Sequence, residues 1–453
     1  MSEPSTDLPV VVIGAGPSGL AAAAHLQSRH VPVVVLESGP GPGSAVSEWG
    51  HVRLFSPWSE LVDPVAEQLL SGAGWTAPDP SSFPTGAEWV SRYLQPLADA
   101  LGDVVRRGTT VTAVTRQSRD RLVSSGRDEA PFTVHVRTPA GDEHVVARAV
   151  IDASGTWGGP NPLGGDGVAA IGEVDAADRI SHHIPDLRDA STRQRYAGRH
   201  VVVAGTGASA KSALIGLTAL AKEEAGTRVT WLVRRASVGE AFAGSGQDEL
   251  PERGALGQRA QAAVESGPVA TLHGFRTARV DRADDDRLTL TSFDGQIVSD
   301  VDEVVVLTGF RPDLQMLSEI RLDLDPVLQA PRQLAPLIDP NEHSCGTVYP
   351  HGAAELAQPE TGFYLVGMKS YGRATSFLAL TGFEQTRSVA AAIAGDHEAA
   401  ARVELTLPDT GVCGGAGLFD DESAQGGGCC DAPAAPELIS LGVPSDLLRG
   451  APQ

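Results

Sequence analysis

Two glycine-rich turns, each entered from an unbroken apolar run, leave this chain few folds to choose from. The first is Val10-Val11-Val12-Ile13-Gly14-Ala15-Gly16-Pro17-Ser18-Gly19, and the second is Val201-Val202-Val203-Ala204-Gly205-Thr206-Gly207-Ala208-Ser209-Ala210. A strand that runs into such a turn and then into a helix is the start of a βαβ unit that cradles a dinucleotide. In the first turn Gly14 allows the sharp bend, and Gly16 lets a pyrophosphate approach the backbone. Gly19 lets the helix over 20–27 pack close. Pro17 and Ser18 open that helix, whose free N–H groups face the phosphates. The next strand, Val33-Val34-Val35-Leu36, ends in Glu37, an acid placed to bind ribose hydroxyls. The alternative is a glycine turn in an ordinary βαβ unit.

The second turn repeats the roles in Gly205 and Gly207, with Ser209 in the opening turn of the helix and Ala210 in place of the third glycine. Its following strand, Val229-Thr230-Trp231-Leu232-Val233, ends not in an acid but in Arg234-Arg235. Guanidinium groups there would fork onto a 2′-phosphate that a carboxylate would repel. This pattern predicts NADPH rather than NADH, against the plainer reading of two solvated arginines. Two such units in one chain predict two dinucleotides held face to face, FAD in the first and NADPH in the second.

At 453 residues the chain has room for two or three domains. Its net charge of −22 argues against nucleic acid and anionic membranes as partners. No apolar stretch is long enough to span a membrane. The acidic, polar start Met1-Ser2-Glu3-Pro4-Ser5-Thr6-Asp7 does not resemble a signal peptide. With only four cysteines, these features lead to the expectation of a cytoplasmic protein. A homodimer is compatible with the sequence.

Segments 111–114, 132–136 and 143–146 read as strands separated by turns. The runs Ala149-Val150-Ile151-Asp152-Ala153-Ser154-Gly155 and Val304-Val305-Val306-Leu307-Thr308-Gly309-Phe310 are apolar strands ending in small residues, as expected where backbone crosses a cofactor. Ser154, Gly155, Thr308 and Gly309 are therefore candidate cofactor contacts. The expected fold class is α/β with two Rossmann-like dinucleotide-binding domains, the NADPH domain inserted into a discontinuous FAD domain. The predicted divisions are 1–195 (FAD, first part), 196–300 (NADPH), 301–402 (FAD, second part) and 403–453. Residues 364–367 are expected as the last FAD-domain strand. A helix is predicted over 375–393, with its N-terminus towards the flavin. Beyond Leu407 periodicity is lost, which predicts a flexible, cysteine-containing tail.

These motifs resemble the two-dinucleotide-binding flavoproteins. Within them, Glu48-Trp49 and Arg53-Leu54-Phe55-Ser56-Pro57-Trp58 are similar to the flavin-containing monooxygenases, and the resemblance implies that Trp49 and Arg53 lie at the flavin. The monooxygenase hallmark Phe-x-Gly-x-x-x-His is absent, and Ser181-His182-His183-Ile184-Pro185-Asp186 stands in its place. Disulfide reductases set a Cys-x-x-Cys or Cys-x4-Cys pair against the flavin, and this chain has neither spacing. They usually carry Gly-Asp in the last FAD strand, where this chain has Gly367-Met368. Without a redox dithiol in the flavoprotein body, molecular oxygen is the simplest electron acceptor, through a flavin C4a-hydroperoxide.

Cys413, Cys429 and Cys430 cluster among glycines. Three thiolates suit a soft, thiophilic centre such as trivalent arsenic or antimony, or zinc with a fourth ligand. The arrangement resembles the C-terminal arm of mercuric reductases. The segments 339–346 and 368–373 are similar to flavoproteins of bacterial arsenic resistance, which implies roles for Cys345, Tyr371 and Arg373 in catalysis. Cys345 is equally readable as a small buried hydrophobe, and the three tail cysteines as incidental. Several functions follow as expectations. The first is an NADPH- and FAD-dependent monooxygenase of a trivalent metalloid (arsenite, antimonite or an organoarsenical). The others are N- or S-oxygenation of a small organic substrate, a disulfide or metal-ion reductase using the tail cysteines, and a metalloid-sequestering protein.

Overall fold

The computed structural model describes residues 7–236, 242, 251–339, 351–374 and 377–405. Two parallel five-stranded sheets organise them. The first has the order β16 (Phe363–Leu365), β7 (Ala149–Asp152), β1 (Val10–Ile13), β2 (Val33–Leu36), β3 (Val105–Arg106). Its strands β1 and β7 are buried along their whole length, as strands covered on both faces must be. The second has the order β11 (Val269–His273), β10 (Arg228–Val233), β9 (His200–Ala204), β15 (Glu303–Val306), β8 (Ile180–Ser181). Two antiparallel three-stranded sheets complete the strand set, β4 (Thr110–Arg116), β5 (Phe132–Thr138), β6 (Gly141–Ala147) and β12 (Thr277–Arg282), β13 (Leu288–Ser292), β14 (Ile297–Val301). This is the α/β architecture expected from the two glycine turns.

Each central strand leads through its turn into a helix, β1 into α1 (Pro17–Ser28) and β9 into α2 (Ala208–Glu223). Pro17 suits the first turn of α1, where no intrahelical N–H bond is needed. The alanines of α1 are buried, packed against α4 (Ala379–Ile393) as well as the sheet. The helix α3 (Pro251–Ser266) packs on α2.

Two boundaries differ from expectation. The division at 300/301 separates β14 from β15, yet β15 pairs with β9 and β8 in the second sheet. That sheet therefore draws strands from both sides of the 196–300 segment. Helix α4 begins at Ala379 rather than at 375, with Phe377 and Leu378 leading into it. Residues 364–365 do fall in the last strand of the first sheet, paired in parallel with β7.

A buried charge cluster ties the β4–β6 sheet to the first sheet. The Glu360 carboxylate, just before β16, accepts from Arg116 Nε at 2.7 Å and Arg127 Nη2 at 2.7 Å. All three side chains are almost wholly buried. Such a cluster locks geometry because removing one member strands the charges of the others.

Candidate functional site

One cleft of about 1550 Å³ runs past both glycine turns. It is lined at one end by Gly14, Gly16, Pro17, Ser18 and Glu37, and at the other by Gly205, Gly207, Ser209, Arg234 and Arg235. Between them lie Ser154, Gly155, Thr308 and Gly309. Trp49, Arg53, Tyr371 and Arg373 also line it. Gly19 and Ala210 stand behind the wall as buried packing positions.

The local geometry explains the sequence. A Cβ at Gly19 would lie 1.9 Å from the Gly14 carbonyl oxygen, so only glycine lets α1 approach the turn. Gly205 has φ +123°, and a Cβ there would meet the Leu307 carbonyl at 2.3 Å. At Gly16 and Gly207 an added Cβ would meet nothing within 4 Å. Those two positions face open cleft, the space a pyrophosphate needs. The turns thus fit dinucleotides by the room they leave as well as by their spacing. Trp231 of β10 supports the second turn, its indole N–H donating to the Gly205 carbonyl at 2.7 Å.

Glu37 is buried at the end of β2. One carboxylate oxygen accepts from Ala15 N at 2.8 Å and the other from Gly39 N at 2.7 Å. These bonds aim the carboxylate across the first turn and leave lone pairs for ribose hydroxyls. At the second strand end, desolvation pushes the Arg234 guanidinium below the usual arginine range, and the positive charges of Arg235 and Arg276 push it further. Arg276 was not legible as part of this cluster, since it follows β11 rather than β10.

The two strand crossings pair with each other. Asn161 N donates to the Gly309 carbonyl at 2.9 Å, and Arg311 N to the Gly159 carbonyl at 2.8 Å. Beside this pair Trp157 stacks on Phe310, centroids 4.9 Å apart, and lies 4.7 Å from the His183 ring. Its indole N–H donates to Glu48 Oε2 at 2.7 Å. His182 lines the cleft with a buried Nδ1 that has no partner among the described residues. Desolvation holds its pKa below the ordinary histidine value, opposed by Glu173 and reinforced by His183.

Tyr371 is 1 % exposed, and its hydroxyl is buried at the cleft wall. Burial raises its pKa, opposed by Thr381, so it is a neutral O–H donor at the cleft wall. Arg373 is exposed at the cleft, its Nε donating to Gln329 Oε1 at 2.9 Å. Trp49 packs under Gly86, and Arg53 bonds the Phe83 carbonyl. Cys345, Cys413, Cys429 and Cys430 lie outside the described residues. Among the described residues no three His, Cys, Asp or Glu side chains form a metal-holding group, and no helix is long and apolar enough to cross a membrane.

A family model described as pyridine nucleotide-disulphide oxidoreductase matches residues 11–346. The chain belongs to that family. FAD and NADPH, expected from the two turns, fit an oxidoreductase of this kind. The chain is 28 % identical over 202 residues to indole-3-pyruvate monooxygenase YUCCA1 of Oryza sativa subsp. japonica, a match over 44 % of this chain and 42 % of the relative. The match thus spans less than half of that curated relative. The fold is similar to bacillithiol disulfide reductase Bdr (YpdA) from Bacillus cereus, with TM-score 0.62, 20 % identity and coverage of 86 % of this chain and 99 % of that one. It is also similar to DfoA of Erwinia amylovora, an FAD-bound cadaverine monooxygenase of desferrioxamine biosynthesis, with TM-score 0.60, 14 % identity and coverage of 89 % and 99 %.

Proposed function

We propose that the chain is an NADPH-dependent FAD monooxygenase of a small, soft nucleophile. FAD would be held by Gly14, Gly16, Pro17, Ser18 and Glu37, and NADPH by Gly205, Gly207, Ser209, Arg234 and Arg235. The observation that carries this reading is the single cleft joining two open glycine turns, one ending in an acid and the other in guanidinium groups. When bound, FAD would take two electrons from NADPH and pass them to oxygen. The chain's own residues would orient and shield. Trp157, Phe310 and Leu307 wall the crossing region, and the buried Tyr371 hydroxyl offers a neutral donor. Water exclusion there favours oxygen transfer over loss of peroxide. Net, substrate, O₂, NADPH and a proton would give oxygenated substrate, water and NADP⁺.

The partial similarity to a curated monooxygenase supports this reading over disulfide reduction, as does the absence of a Cys-x-x-Cys or Cys-x4-Cys spacing from the sequence. The substrate we propose is a trivalent metalloid, arsenite, antimonite or an organoarsenical, captured as its thiolate complex by Cys413, Cys429 and Cys430. The support for it is the clustering of three of the four cysteines. The test is NADPH and oxygen consumption with arsenite, antimonite, small sulfides and amines, with the product oxidation state measured. A variant with all three cysteines changed to Ser should lose metalloid turnover below KM and keep FAD content and reduction by NADPH. Unchanged metalloid kinetics in that variant would remove the tail cysteines from the mechanism, whereas a metalloid that does not stimulate NADPH and oxygen consumption in the wild type would remove the metalloid reading and leave the oxygenase reading to the sulfides and amines.

A further inference from the structure

The sequence contains three lysines, Lys211, Lys222 and Lys369. Lys369, which follows β16, is 1 % exposed and nevertheless lines the cleft. Burying an ammonium is costly unless it is paired. Lys369 Nζ donates to Asp152 Oδ2 at 2.7 Å and to Ser154 Oγ at 3.0 Å. Asp152, at the end of β7, is 0 % exposed, and its Oδ1 accepts from Ser154 N at 3.0 Å and Ser154 Oγ at 2.6 Å. The carboxylate is thus well supplied with donors. The ammonium has three N–H groups and two partners among the described residues.

The location gives the third N–H its meaning. Asp152 is in register with Ile13, the residue before Gly14. A Cβ at Gly14 would lie 2.9 Å from the carbonyl oxygen of Ala153, and one at Gly367 would lie 2.8 Å from Ser18 Oγ. The ion pair therefore sits beneath the first glycine turn, beside the opening of α1. An apolar pair of similar volume would hold these strands at least as well. What the charged pair adds is a fixed positive donor where an anionic dinucleotide lies. Lysine suits this role because its ammonium is a compact charge with rotatable donors.

We propose that Lys369 is a dinucleotide-binding residue of the first glycine turn, acting through its third N–H, and that Asp152 and Ser154 are the positioning residues that hold it there. The inference rests on the assignment of FAD to that turn. It is tested by fluorescence titration of the full-length apoprotein with FAD, alongside its thermal melting and its affinity for NADP⁺. K369M alone would leave Asp152 buried without a counter-charge, so the decisive variant is D152N/K369M, which removes both charges and keeps an acceptor for Ser154. The double variant should melt like the wild type, bind FAD at least about tenfold more weakly, as for loss of one charge-assisted bond, and keep its NADP⁺ affinity. S154A should weaken FAD less. Wild-type FAD affinity in the double variant, or equal losses for FAD and NADP⁺, would overturn the proposal. Should the double variant not fold, S154A with unchanged FAD affinity overturns the positioning arrangement, and a loss for FAD alone supports it. G16V separates the two levels. If it still binds FAD, the site assignment fails, whereas if it loses FAD and D152N/K369M does not, only the role of Lys369 fails.

Discussion

Replacing Arg234 and Arg235 by alanine tests the cofactor assignment of the second turn. Both residues line the cleft just beyond β10. Desolvation and then repulsion from Arg235 and Arg276 make the protonated Arg234 unfavourable relative to a free arginine. A 2′-phosphate would relieve that repulsion, whereas the 2′-hydroxyl of NADH would not. One charge-assisted hydrogen bond contributes about 1.5–3 kcal/mol. Two such bonds are lost, but Arg276 stays in place and its attraction for the phosphate survives. A net loss of about 2–4 kcal/mol is therefore expected, or about 30- to 900-fold in the Kd for NADP⁺. The affinity for NAD⁺ should hardly move, because it has no phosphate at that position. Titration of the purified holoprotein with each nucleotide, with KM for NADPH and NADH measured alongside, gives both numbers. Equal losses for the two nucleotides would refute the reasoning and make these arginines structural or merely solvated.

Three further outcomes are expected. Gly16→Val fills space that the structure leaves open and should abolish FAD retention, seen as loss of the flavin absorbance of the purified protein, so full flavin content would contradict the site. Glu360→Gln leaves Arg116 and Arg127 buried without a counter-charge and should destabilise the protein by about 3–5 kcal/mol, read from the urea midpoint. Burial raises the Glu360 pKa, but the bonds from Arg127 and Arg116 outweigh that and hold it below the ordinary value. Its stabilisation is therefore present above the unfolded carboxyl pKa and lost as pH falls through the depressed folded value, a pH dependence that Glu360→Gln should remove. Trp231→Phe removes the donor to the Gly205 carbonyl and should weaken NADP⁺ by about 0.5–1.5 kcal/mol with FAD binding unchanged, so a loss confined to FAD would count against it.

Local features were legible in the sequence. The turns at Gly14–Gly19 and Gly205–Ala210 and the strands β1 and β9 follow from apolar runs ending in glycine, and β2 and β10 from apolar runs ending in Glu37 and Arg234. The strands β4, β5 and β6 follow from β-branched residues between turn signals. Partnership was harder to read. Val304-Val305-Val306 and Val150-Ile151 are both continuous apolar runs, and periodicity carries no label for the sheet each one joins, so β15 was placed with the wrong flank. The two-residue strands β3 and β8 are too short to show any period. In the site, Glu37 and Arg234 stood at fixed offsets from their glycines and could be named. Lys369 could not, because its partner Asp152 lies 217 residues away and only the pairing of β16 with β7 brings them together. Its being one of only three lysines in the sequence was the available signal. The Trp157–Glu48 bond and the burial of the Tyr371 hydroxyl at the cleft wall likewise arise from tertiary placement.

The most direct test of the account is the stoichiometry of the holoprotein with arsenite, antimonite, small sulfides and amines, with oxygen, NADPH and product followed in one vessel. The account predicts that a soft nucleophile stimulates NADPH oxidation, that one O₂ disappears per NADPH, and that one oxygen atom is found in the product. NADPH oxidation that proceeds without oxygen while a disulfide or metal ion is reduced would contradict it.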